Sequence, residues 1–360
     1  MGPVAPPARI HSGCDNILTS TSRGTIVFGG RGRTHKLLQS LFVAESLKHS
    51  GRRARSRVPE VVLFLLAAGL AVPCEADIMY VSNTVGNTIE SFTAGGVGSV
   101  FANTGLSKPF GLAFDSAGNL YGVNNSGNSI EEFTPGGVGS VFASGGFDNP
   151  LGMAFDSAGD LYVANLNINT IQEFTPGGAG SVFANTGMNR PYGIAFDSAG
   201  NLYVANAGDN TIEKFTPGGA GSVFASGLNG PICLAFDSAG NLFVVDNGDD
   251  TIEKIAPGGV ESLFASTGLN GARGLAFDSA GNLYVANTGD NTIEEFTPGG
   301  VGSVFASTGL NSPHFIAFTN DAGSPLLLPN QTPEPSTWTL FALGGTSLLV
   351  AKWRRIDAGC

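Results

Sequence analysis

The chain has 360 residues, 53 of them glycine, with 42% hydrophobic and only 13% charged. With Gly and Pro regularly spaced, that balance excludes a disordered chain and points to an all-β protein rich in turns. The net charge of -11 is uneven: residues 1–76 carry ten Lys/Arg against four acids, a net +6, and the rest carries -17, a body that repels phosphate backbones and argues against nucleic-acid binding.

In chain order, residues 1–50 are an unassigned leader: either translation starts downstream of Met1, or the leader leaves with the segment after it. Arg52, Arg53, Arg55 and Arg57 precede an apolar run from Val61 to Val72, too short to span a bilayer comfortably. Cys74-Glu75-Ala76 comes next, with small residues flanking the glutamate. A basic region, a short apolar core and a small-x-small site make a secretory signal over 51–76, cleaved after Ala76. Pro73 ahead of Cys74 argues against a lipoprotein site. Of the four cysteines (Cys14, Cys74, Cys233, Cys360) only Cys233 lies between residues 77 and 320, so no disulfide framework is expected there. Cys233 stands where other copies of a repeated unit have Gly and reads as a small buried residue.

From residue 77 to 320 that unit, about 41 residues long, recurs. Its Asp-Ser-Ala-Gly or Asp-Ser-Ala-Gly-Asn words begin at Asp115, Asp156, Asp197, Asp237 and Asp278, and such self-similarity sets the architecture first. In one copy four strand-length runs appear: 274–277, 283–286, 292–296 and 303–306, rich in Val, Ile, Phe and Tyr. Asp278 to Asn282 closes the first pair as a short bulged hairpin. Thr297-Pro-Gly-Gly300 closes the last pair, with Pro second and Gly third as in a type II turn. Four antiparallel strands per unit describe propeller blades. The Thr-Ile-Glu-x-Phe word occurs six times, counting variants, from Thr88, Ser129, Thr170, Thr211, Thr251 and Thr292. The repeat begins mid-unit at Ile78 and ends mid-unit at Phe315–Phe318. The last strand therefore completes the first blade, giving an all-β six-bladed propeller of four-stranded antiparallel blades closed by its own ends.

The words Pro191-Tyr-Gly-Ile-Ala-Phe-Asp197 and Gly200-Asn-Leu-Tyr-Val-Ala-Asn206 resemble the NHL-repeat family, over about 240 residues. The resemblance implies the fold and leaves the activity open. The family's usual Asp after Tyr-Val-Ala is Asn in most copies here and Asp at Asp246.

Between copies, the informative positions are those that differ. After the repeated Pro stand Phe110, Leu151, Tyr192, Ile232, Arg273 and His314, with Ala272 in place of Pro in one copy. They are expected just ahead of the innermost strands, around the channel mouth. They read as a shallow ligand pocket with an apolar wall and two polar handles, or as neutral variation in a solvent-facing loop. Gluconolactonase-like propellers, by comparison, bind a divalent metal with an Asn or Asp at this position. No copy has one here, so no catalytic metal or cofactor is expected. Streptogramin-lyase-like propellers use a His with acidic residues and magnesium. His314 is the one propeller histidine, followed by Phe315 and not by the expected Gly, so no catalytic residue is assigned. The Asn/Asp-rich loops after the second strand serve turns; weak calcium binding is the alternative, best placed at Asp246, Asp249 and Asp250.

A linker, 321–332, leads to Pro333-Glu334-Pro335, an apolar stretch from Thr339 to Ala351, and Arg354-Arg355. This segment, 333–356, resembles the PEP-CTERM sorting signal. The resemblance implies a Gram-negative-type bacterium, transient insertion in the inner membrane with the arginines cytoplasmic, processing by an exosortase, and release to the cell surface or extracellular matrix. The expected role is a binding or matrix module for polysaccharide or surface proteins; the alternative is a propeller-type lyase or lactone hydrolase.

Overall fold

Runs such as Leu202-Tyr-Val-Ala-Asn206, too short for a helix and punctuated by turn words, zip into antiparallel sheets. The structure, a computed structural model, describes residues 77–320 and a two-residue pairing of Thr19–Ser20 with Ile26–Val27. The leader, signal, linker and sorting segment otherwise lie outside the described residues. Among those described there is no helix, and six four-stranded sheets form the ring.

Blade one runs outward from an inner strand, Pro109–Phe114, through Leu120–Asn124 and Ser129–Phe133 to an outer strand, Gly139–Ala143. Blades two to five repeat that order from inner strands Pro150–Phe155, Pro191–Phe196, Pro231–Phe236 and Ala272–Phe277. Blade six takes its inner strand, Pro313–Asn320, from the far end of the repeat and pairs it with Asp77–Asn83, followed by Thr88–Phe92 and Gly98–Ala102. Pro313 faces Asn83, Ile316 faces Val81 and Asn320 faces Asp77. The ring is thus closed by one strand from one end and three from the other.

The seams repeat too. Tyr121 packs edge-on against Phe142 of its own outer strand (5.1 Å) and Phe155 of the next blade (4.9 Å), a geometry that adds to plain area burial. The same wedge closes the ring, as Tyr284 against Phe305 and Phe318 and as Tyr80 against Phe101 and Phe114. A polar latch follows each seam. Asn87, left-handed at φ 53°, accepts the Lys108 amide at 2.7 Å, and Asn291 accepts that of Ser312 at 2.7 Å. Asn tolerates that backbone region better than most side chains.

Two faces result. Inner strands start on one face, with the crossovers between blades and the loops after the second strands; this is the mouth face. They end on the other, with the Asp-Ser-Ala-Gly and Thr-Pro-Gly-Gly turns. The latter differ from the expected type II. Gly137 donates to the Thr134 carbonyl at 2.8 Å and itself takes φ 79°, while Gly136 is not left-handed. This is a type I turn followed by a glycine bulge, whose twist suits the hairpin better. The Asp115 carboxylate accepts the Ala117 and Asn119 amides at 2.9 and 2.8 Å, the Asx-type bonding that makes this word a turn.

Candidate functional site: the axis and its mouth

The inner strands begin earlier than the sequence pattern suggests, at the Pro or Ala itself. Phe110, Leu151, Tyr192, Ile232, Arg273 and His314 are therefore the second residues of six strands and not loop residues. Leu151, Tyr192, Ile232 and His314 are buried, whereas Phe110 and Arg273 are partly exposed.

Glycine brings the strands this close. A Cβ on Gly152 would lie 2.5 Å from the Tyr192 carbonyl oxygen, and one on Gly193 2.5 Å from that of Ile232. Gly111 and Gly274 meet Leu151 and His314 in the same way. In the two remaining blades Cys233 and Phe315 take this place, both buried in the axial core with Leu151, Tyr192 and Ile232. Burial pushes the Cys233 thiol up to about 11. Tyr192 of blade three stacks on Phe315 of blade six, diametrically opposite, with ring centroids 6.4 Å apart and planes 11° apart. Side chains fill the axis.

His314 sits at the top of this plug. Its ring centroid lies 4.5 Å from that of Phe110. Its Nδ1 is 2.9 Å from the Ser312 carbonyl and 2.8 Å from Thr84 Oγ1, which itself donates to the Pro109 carbonyl. A carbonyl only accepts, so the proton sits on Nδ1. Burial first, with the Arg273 charge adding to it, pulls the imidazole pKa down to about 4 against the opposing Ser312 bond. The ring is neutral at physiological pH.

Arg273 is the other polar axial residue. Burial raises the Tyr192 phenol pKa, and the adjacent Arg273 guanidinium opposes that shift. Among the described residues the ion pairs are Lys214–Asp197 and Lys254–Asp237, both 3.7 Å. Arg273 has no carboxylate partner, although residues 77–320 hold 22 acids and five Lys/Arg. Its Nε is buried without an acceptor.

Asp246, Asp249 and Asp250 lie further out on the mouth face. Both Asp246 carboxylate oxygens accept the Asn229 amide (2.7 and 2.8 Å), and burial raises its pKa. Asp249 accepts from Asn229 Nδ2 at 2.8 Å, and Asp250 from the Gly271 amide at 3.0 Å. Each carboxylate is committed to a different loop bond. In sibling blades Asn fills the Asp246 position and also donates, as Asn287 does to the Gly268 carbonyl at 2.7 Å. Among the described residues no three His, Cys, Asp or Glu side chains converge as a metal ion needs.

Sequence reasoning passed over one set. Glu90, Glu131, Glu213 and Glu294, third residues of the Thr-Ile-Glu words, are buried, and burial raises their pKa values along with that of Glu253. Blade two alone has Gln172 there. Aligning the six words column by column exposes the substitution.

Comparison with known proteins adds an address and a fold. Residues 331–356 match the PEP-CTERM protein-sorting motif, spanning Pro333, Glu334, Pro335, Arg354 and Arg355, which lie outside the described residues. A chain with this motif is directed to the surface or exterior of a Gram-negative-type cell by exosortase processing. No curated protein matches the chain. Among solved structures, a chain of the nidogen–laminin complex shares 22% identity over 68% of this chain and 99% of its own, with a TM-score of 0.62. Virginiamycin B lyase from Staphylococcus aureus shares 18% over 69% and 92%, with a TM-score of 0.53. A candidate gluconolactonase shares 17% over 57% and 80%, with a TM-score of 0.51. At these identities the likeness carries the fold, which is consistent with NHL-type repeats.

Proposed function

We propose that this six-bladed propeller with a PEP-CTERM motif is a surface-delivered binding module that engages a single uronate carboxylate of a polysaccharide at its axial mouth, where the local charge is that of Arg273 although the body as a whole repels polyanions. One observation carries the reading: Arg273, partly exposed at the mouth, has no acidic partner in an acidic body, and its buried Nε lacks an acceptor. Guanidinium matches a carboxylate bidentately. The partly exposed Phe110 ring, packed on His314 at the same mouth, offers an apolar face for the sugar ring. Titration calorimetry of the full chain with oligo-uronate tests this. Binding is expected in the wild type and at least tenfold weaker in Arg273→Gln. No binding by the wild type, or unchanged affinity in the variant, rejects it.

The second reading is a propeller-type lyase or lactone hydrolase. What favours it is an axial histidine, His314, among neighbours that include a lyase. It predicts turnover abolished by His314→Ala. An imidazole with a pKa of about 4 is a weak base at neutral pH, which places this reading second.

A further inference from the structure

Four of the six seams are built alike. At these, the crossover into the blade passes a glycine over the third-strand glutamate of that blade. Cβ atoms built on Gly105, Gly187 and Gly268 would lie 3.3, 3.0 and 3.5 Å from carboxylate oxygens of Glu131, Glu213 and Glu294. Just before that glycine stands a threonine: Thr104, Thr186, Thr267 and Thr308. The crossover into blade four is one residue shorter, and a Cβ on its glycine, Gly227, would meet nothing within 4 Å, although the blade keeps its glutamate, Glu253.

At the seam between blades one and two, three residues depart together. Gly145 replaces the threonine, Phe147 replaces a Leu or Met, and Gln172 replaces the glutamate. Each has a structural result at the same place. A Cβ on Gly145 would meet nothing within 4 Å, so the missing threonine leaves open space. Phe147 stacks on Phe174, with centroids 5.1 Å apart and planes at 26°. The Gln172 Oε1 is buried without a hydrogen-bond partner. A groove of about 580 Å³ opens there, lined among others by Val141, Ser144, Gly145, Gly146, Gln172 and Phe174. That size falls in the roughly 300–1,000 Å³ range of small-molecule sites.

We infer that this groove is a binding site for a neutral saccharide, separate from the axial mouth and independent of the function proposed for it. The chemistry selects the class. No charged side chain lines the groove, although the body around it is strongly acidic. The glutamate that would repel an anion or attract a cation is the one replaced by an amide. A buried carbonyl oxygen without a donor calls for a hydroxyl. The partly exposed Phe142 ring on the groove wall, beside an amide, suits a sugar, and the glycines let the sugar approach the backbone.

The sibling blades supply the control. Gly145→Thr and Gln172→Glu install residues that other seams already hold at these positions, and Gly145 has no positive φ that would strain a side chain. The double variant is expected to fold with an unchanged thermal midpoint. Calorimetric titration of the full chain with maltohexaose, cellohexaose and laminarihexaose is expected to show binding of at least one. That binding should weaken at least tenfold in the double variant and stay unchanged in Arg273→Gln. The proposal is overturned if none of the three binds, or if the double variant binds as the wild type does. It is overturned also if an uncharged extended hexapeptide binds at this groove and the saccharides do not. Loss of oligo-uronate binding in Arg273→Gln, with neutral saccharide binding intact, keeps the two sites distinct.

Discussion

Five of the six outer strands read Gly-Ser-Val-Phe-Ala, and their valines are more than half exposed, as at Val304 and Val223. No two of the six axial positions carry the same residue, and four of the six are buried. Repetition is therefore kept at the rim and at the seams, where each copy meets the same neighbour, and abandoned at the axis, where all six converge. The cause is geometric. Each outer strand meets the same part of the next blade, as Phe101 meets Phe133, so one residue serves in five of the six copies. At the axis six side chains compete for one volume, and close packing rejects six equal bulky groups. Phe110, Leu151, Tyr192, Ile232, Arg273 and His314 are one jigsaw distributed over six blades.

The sharpest way to break this contrast is to add one methyl group on the axis. A Cβ on Gly274 runs into the carbonyl oxygen of His314, a backbone atom that cannot swing away. Gly274→Ala is expected to cost about 3 kcal/mol in urea unfolding. A loss under about half a kilocalorie would mean the inner strands are looser than their packing indicates. Next in size is the titration of His314. Its pKa is about 4 in the native state against about 6.5 in the unfolded chain. The unfolded state takes up the proton first as pH falls. Stability from this group is thus full above about pH 6.5, is lost progressively down to about pH 4, and amounts to on the order of 3 kcal/mol. Glu90, Glu131, Glu213, Glu253 and Glu294 act oppositely: burial raises their pKa values, so acidification through their range adds stability. His314→Gln keeps that part and is expected to lose the acid sensitivity between about pH 6.5 and 4, read from unfolding midpoints across pH. Equal pH profiles for the two proteins would refute the assignment. The smallest effect belongs to the rim, where Val304→Thr is expected to change stability by less than about 0.5 kcal/mol.

The blade count and the ring closure were legible because both rest on short local words. Six Thr-Ile-Glu words with Asp77–Asn83 and Pro313–Asn320 as half-units leave one way to close the ring. The turn at Thr297–Gly300 differs from the type II expected of it, as its copy at Thr134–Gly137 does, because two adjacent glycines leave open which one turns left-handed. The axial residues were legible as the place where copies disagree, but not as a plug. Their contact depends on how closely glycine lets neighbouring strands approach, and strand spacing around a ring has no local word. The groove at Gly145 and Gln172 needed two columns some 27 residues apart to be read together, and the fold is what makes them neighbours.

The pairing of Asn320 with Asp77 has a directional consequence. The two ends of the ring, Asp77 and Asn320, lie together on the face bearing the Asp-Ser-Ala-Gly turns, whereas the partly exposed Arg273 lies on the reverse. Were the ring held at that end, it would face away from its attachment as a dish faces away from its stalk, with its guanidinium outward and its hairpin turns inward.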